Sequence, residues 1–221
     1  MLSRRLRMGS KRIVPVVSVN SSHPITGNTG AINGVSAGDV AIILQAYNST
    51  DKTLAAPTFA SGSGTITPGQ SYSDGSAYSF RWDIAVISSA PGNSVTFNIG
   101  NSGSSSLHST VIVYRGVSNS SPLDVTPPSM ATFTGTGKID SPSVTMSHAG
   151  SVVAVGCQFA VSYSGASVTG YNTDAVYNSS PPGTICAASL HVDPSVQDPP
   201  QWNMSGGTSG GVAATIPLRR A

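Results

Sequence analysis

Oily and polar residues alternate from Tyr78 to Val86: Tyr78, Phe80, Trp82, Ile84 and Val86 stand against Ser79, Arg81, Asp83 and Ala85. Side chains on a strand project to opposite faces with period 2, so this run predicts a strand with one oily face. A turn at Ala90-Pro91-Gly92-Asn93 follows, then Val95, Phe97 and Ile99 alternate in the same way. After a Gly/Ser loop comes LHSTVIVYRGV, so Tyr78–Val117 predicts a three-stranded antiparallel meander with one buried face. Val40–Tyr47, VAIILQAY, is nearly apolar on both faces and predicts a central strand covered on both sides. Ile13–Val19 predicts a first strand, which Pro15 places at a sheet edge or at the strand's start. Residues 48–77, punctuated by Pro57, Gly62, Gly64, Pro68, Gly69 and Gly75, predict loop.

The second half of the chain echoes the first. His148-Ala149-Gly150-Ser151 precedes VVAVGCQFA as Ser36-Ala37-Gly38-Asp39 precedes VAIILQAYN. Further on, TICAASLHV echoes WDIAVIS, Trp202 and Met204 echo Val95 and Phe97, and GVAATIPL echoes STVIVYRG. The repeat units run from about 38 to 117 and from about 150 to 218, with residues 118–142 crossing between them. That period is far longer than a solenoid repeat. Two small independent domains would each hold few strands for a core. The expectation is therefore an all-β chain: one jelly-roll-like antiparallel sandwich, residues 13–221, whose duplicated halves interleave their strands. Trp82 and Trp202 are expected to be buried at related positions in the two halves.

Composition agrees with a helix-poor fold. Only 9% of residues are charged and no glutamate is present, against about 25% charged in ordinary domains. Glu, Lys and Arg favour helices, whereas the abundant Ser, Thr, Asn and Gly do not. The charge is also unevenly placed. Arg4, Arg5, Arg7, Lys11 and Arg12 lie in the first twelve residues, and Arg219 and Arg220 near the end. Between Ile13 and Leu218, four positive residues meet nine Asp, a balance of 4 − 9 = −5. Residues 1–12 predict a flexible basic arm, since alone they bury too little apolar surface to order. A mildly acidic body argues against nucleic acid as partner. No run reaches the ~18 apolar residues of a membrane helix. The basic start followed by IVPVVSV mimics a signal peptide but has no A-x-A cleavage site.

Candidate chemistry is sparse. None of the four histidines has a second His or Cys at metal-ligand spacing, so neither metal nor cofactor is expected. No G-x-S-x-G elbow and no marked pair of carboxylates appears, and no catalytic residue is assigned. Cys157 and Cys186 both fall in phase with oily positions, and free buried thiols are favoured over a disulfide. Tyr163, Tyr171 and Tyr177 stand among Gly, Ser and Asn, the composition that adaptable binding surfaces use. The alternative is that these tyrosines pack on the sandwich.

Three features together carry a family resemblance: the leader RRLRMGSKRIVPV, the A-G-D-V-A that opens a strand, and V-I-V-Y-R-G-V followed by Pro122-Leu123-Asp124. The leader resembles the N-termini of small minor tail proteins of phages that infect actinobacteria. The other two resemble a β-sandwich of phage tail and virion-surface proteins and of some secreted bacterial proteins. The resemblance implies a non-enzymatic virion component, docked through Arg4, Arg5, Arg7, Lys11 and Arg12. Its partners would be other tail or capsid proteins, further copies of itself and a host cell-surface glycan. A capsid decoration protein is a variant of that reading, and a secreted carbohydrate-binding module is the alternative.

Overall fold

Apolar residues on both faces make Val40–Asn48 a central strand, and a five-stranded antiparallel sheet is built around it. The computed structural model describes residues 12–23, 26–48, 54–75, 78–100, 107–133, 139–159, 166–179, 183–203 and 210–221. In the first half the strands are β1 (Val14–His23), β2 (Thr26–Asn28), β3 (Ile32–Asn33), β4 (Val40–Asn48) and β5 (Thr58–Ser61). β6 (Ser63–Ser73), β7 (Tyr78–Ser89), β8 (Ser94–Gly100) and β9 (Leu107–Arg115) complete it. The second half holds β10 (Ala131–Phe133), β11 (Val144–Thr145), β12 (Gly150–Phe159), β13 (Ser167–Val168) and β14 (Asn172–Ser179). β15 (Gly183–Val192), β16 (Val196–Gln197), β17 (Trp202–Asn203) and β18 (Gly211–Arg219) follow.

The first main sheet has the order β1-β9-β4-β7-β6, and the second β10-β18-β12-β15-β14. Reading β1 as β10, β4 as β12, β6 as β14, β7 as β15 and β9 as β18, the two orders are the same. Each main sheet is drawn from one half of the chain, so the halves face each other instead of exchanging strands. The expected meander is not formed. β7 and β9 both pair with β4, which lies between them, while β8 leaves for an outer sheet with β2, β3 and β5. Alternation shows which face of a strand is buried but not which strand it pairs with. The middle position goes to β4 because only a strand apolar on both faces can be covered on both. β6, in the expected loop of residues 48–77, and β14, in the Gly-, Ser- and Asn-containing stretch around Tyr171 and Tyr177, are the corresponding edges of the two sheets.

The largest core lies between the sheets. Ile42, Leu44, Phe80, Trp82, Ile84 and Ile112 meet Val153, Val155, Phe159, Ile185, Ile216 and Leu218 there. A second core fills the outer side of the first sheet, where Ile43, Ile87 and Val111 meet Val95, Phe97 and Ile99 of β8. A third lies outside the second sheet, where Ala154, Cys186, Ala188 and Ala213 meet Ile139, Val168 and Trp202. The main sheets are thus covered on both faces. This is why β12 is buried at every position and shows no alternation in sequence.

Both tryptophans are buried, but their positions are not related. Trp82 is on β7, facing the core between the sheets, and Trp202 is on β17, in the outermost layer. Both cysteines are buried free thiols. Cys157 opposes Ile185, and Cys186 opposes Gly156, one residue along the β12–β15 ladder. Their side chains therefore leave opposite faces of the sheet, Cys157 toward the inner core and Cys186 toward the outer one. That arrangement does not allow a disulfide between them. Burial pushes both thiols well above their ordinary range.

Candidate functional site

The ladder registers give the molecule two distinct ends. Asn48 opposes Tyr78, Tyr47 opposes Leu107, Phe159 opposes Gly183 and Gln158 opposes Gly211. These strand ends lie together, for the Tyr78 and Phe159 rings stack with centroids 4.7 Å apart. The strands that flank residues 49–53, 76–77, 101–106, 160–165 and 180–182 all end here. Those connections read STDKT, SA, NSGSSS, AVSYSG and SPP. At the opposite end Val14 opposes Arg115, Gly150 opposes Arg219, and Val117 bridges to Arg220. Arg12 is exposed there, directly before β1. Gly116 holds a left-handed φ of 86°, and a side chain on it would meet the Arg12 carbonyl. Its own carbonyl accepts a hydrogen bond from the Ala221 N–H at 2.9 Å. The first and last described residues therefore meet at one point.

The sequence motifs of interest are fastened together at this end. In A-G-D-V-A, Asp39 is almost fully buried and takes a two-pronged hydrogen bond from Arg115 of V-I-V-Y-R-G-V. Arg115 Nε reaches Oδ1 at 2.8 Å and its terminal nitrogen reaches Oδ2 at 2.7 Å. The planar guanidinium matches the carboxylate fork. Asp124, of Pro122-Leu123-Asp124, accepts hydrogen bonds from the Ser147 and His148 N–H groups and pairs with His148 Nδ1 at 2.6 Å. Burial pushes the Asp124 carboxyl up, but those N–H bonds and the His148 ring outweigh it and hold it below its ordinary value. These motifs therefore clasp loops to strand ends. Beside them, Thr65, Thr67, Ser88, Asn119 and Pro122 line an open cleft of about 600 Å³.

Of the arm residues, Arg12 is described, while Arg4, Arg5, Arg7 and Lys11 lie outside the described residues, as does Tyr163. The structure does not bring Tyr171 and Tyr177 together. Tyr171 is half-buried on the outer side of the second sheet, where burial and Asp198 push its hydroxyl up to about 12. Tyr177 packs against the inner core, its hydroxyl 3.1 Å from His108 Nδ1. Among the described residues, no three His, Cys, Asp or Glu side chains are grouped to hold a metal ion.

The chain matches no family model, no curated protein and no solved structure.

Sequence reasoning missed a polar seam along one flank of the two sheets. The Tyr114 hydroxyl donates to Asp174 Oδ2 at 2.6 Å, and Asn20 Nδ2 donates to the Val176 carbonyl at 3.3 Å. With His108 and Tyr177, these bonds join β1 and β9 to β14. Burial raises the Asp174 carboxyl, against the pull of the Tyr114 hydroxyl. The signal was weak because Asp174 lies in a Gly/Ser/Asn-rich stretch that reads as loop.

Proposed function

We propose that the chain is a non-enzymatic structural and adhesive virion component, a phage minor tail protein docked through Arg4, Arg5, Arg7, Lys11 and Arg12. The observation that supports this reading is the polarity of the molecule. The arm leaves from the end where the chain's first and last described residues meet. The Ser-rich connections attach at the other end. One end then suits anchoring in a particle, and the other suits contact with a neighbouring virion protein or a host cell-surface glycan. Exposed ion pairs contribute only about 0–1 kcal/mol each, so docking calls for apolar anchors among Leu2, Leu6, Met8 and Ile13; Ile13 is already buried in the core between the sheets, which leaves the first three.

Deletion of Met1–Arg12 tests this. The shortened chain should keep its strand-rich circular dichroism and its melting transition, yet be missing from purified particles by mass spectrometry. A shortened chain that still enters particles at the normal level refutes arm docking. A mature chain that starts after Val19 would favour the secreted carbohydrate-binding module.

A further inference from the structure

The two main sheets end in four edge strands: β1 and β6 on the first, β10 and β14 on the second. An edge presents unpaired main-chain N–H and C=O groups, and natural sheets guard such edges against a further strand. Three of the four carry a recognisable guard. β6 has register shifts at Ser63/Gly64 and at Pro68/Ser71, and proline removes one donor there. β14 is bulged between Thr173 and Ala175, and the residue at the bulge, Asp174, turns a carboxyl inward to Tyr114. β10 is three residues long among the described residues.

β1 differs. Its one irregularity, at Pro15/Val17, lies at its start, and its pairing with β9 then runs unbroken from Val17 opposite Val113 to His23 opposite Leu107. No Asp, Lys or Arg occurs from Val14 to His23. Four of its residues are valines, suited to a pleated surface. Val14 is 45% exposed, and Val17 and Val19 are only partly covered by the outer core.

We propose that β1 is a self-association edge, pairing antiparallel with β1 of a second copy to join two five-stranded sheets into one. Charge selects both the partner and the direction. A parallel pair would set two five-charge arms side by side. The antiparallel pair separates them and carries each arm to the opposite end of its partner, against a body whose formal balance is −5. A two-fold pair of this kind is closed, since the same strand serves both copies. The proposal does not depend on where the arm docks. Self-association is measured on the purified chain and arm docking on particles, so either can fail alone.

The test is the mass of the full chain in solution across a concentration series, by light scattering or native mass spectrometry. The expected result is a reversible dimer of twice the 22.4 kDa chain mass. Ser18 is exposed in the middle of β1. Ser18→Lys sets like charges across the two-fold and should weaken the dimer about tenfold or more. Thr65→Lys, on exposed β6, should leave it unchanged. Amide hydrogen exchange of the unaltered chain gives a readout that needs no variant: β1 amides should exchange more slowly than those of β6, and faster on dilution. A monomer at every concentration overturns the proposal. So does a dimer that resists Ser18→Lys, or one that Thr65→Lys breaks, which would move the interface to β6.

Discussion

The two main sheets share a strand order but are covered on their outer sides in different ways. The first presents Ile43, Ile87, Val111 and Val113 outward, and a further sheet of β2, β3, β5 and β8 lies over them. The second presents Ala154, Gly156, Cys186, Ala188 and Ala213, over which lie, among the described residues, Phe133, Ile139 and two short ribbons, one of them carrying Trp202. Side-chain volume accounts for the difference. Branched residues hold a cover away from the sheet, about 10 Å for a second sheet. Alanine and glycine let single segments lie close: a Cβ added at Gly156 would come within 3.3 Å of Ile139. The Ile139 carbonyl in turn accepts a hydrogen bond from the Trp202 N–H at 2.9 Å. One wiring thus supports two kinds of cover.

If a few side chains cover the second sheet, removing the largest should cost most. Trp202→Ala should destabilise the chain by about 3–5 kcal/mol in denaturant unfolding. A loss near zero would show that the cover does not rest on Trp202. The faces should also respond in opposite ways to size. Ala188→Leu on the small face should cost about 1–3 kcal/mol by overpacking. Ile43→Val on the large face should cost about 0.5–1.5 kcal/mol by loss of a methylene. A tolerated Ala188→Leu would remove the contrast.

Asp124 and Asp174 are shifted in opposite directions, and pH separates them. Asp174 is raised by burial, so the folded chain holds that proton more tightly than the unfolded one. This group's contribution falls as pH rises from the unfolded value, about 3.9, through the raised folded one. Asp174→Asn, which keeps an acceptor for Tyr114, should therefore raise the melting temperature near pH 7 and lose that gain near pH 3. Asp124 is held low, so its contribution is present above about 3.9 and is lost as pH falls through its lower folded value. Asp124→Asn should lower stability at neutral pH, and its effect should fade as pH falls through the lowered folded value. The smallest effect concerns the thiols. Both should react with a thiol reagent in denaturant without reductant and only slowly in the folded chain. Absence of free thiol after denaturation would contradict the opposite facing of Cys157 and Cys186.

The all-β sandwich was legible because strands with one dry face announce themselves by period. Val40–Asn48 and Tyr78–Ser89 were read close to their true limits for that reason. β6 and β14 were not, because an edge strand in contact with water needs few oily residues, and Ser63–Ser73 is mostly exposed. Pairing was illegible as well. Tyr78–Val117 looks like a local meander, but its three strands lie in two sheets, with β4 inserted from far upstream. At the candidate site the motifs were visible, but not that Arg115 and Asp39 hold each other across 76 positions. Tyr171 and Tyr177 share a composition in sequence, yet Tyr171, just before β14, packs on the outer core and Tyr177, on β14, packs on the inner one, a placement that composition does not carry.

The meeting of the first and last described residues at Gly116 makes the described chain almost a ring. Short linkers between residues 221 and 12 would close it, and a cut anywhere among 101–106 would reopen it at the opposite end. Close termini are the usual condition for circular permutation. Such a permutant would keep every ladder of both main sheets, because the cut falls between β8 and β9, which do not pair. It would move the point of attachment from one pole to the other. Fused to the same anchor, the original and the permutant would present opposite ends of one unchanged sandwich.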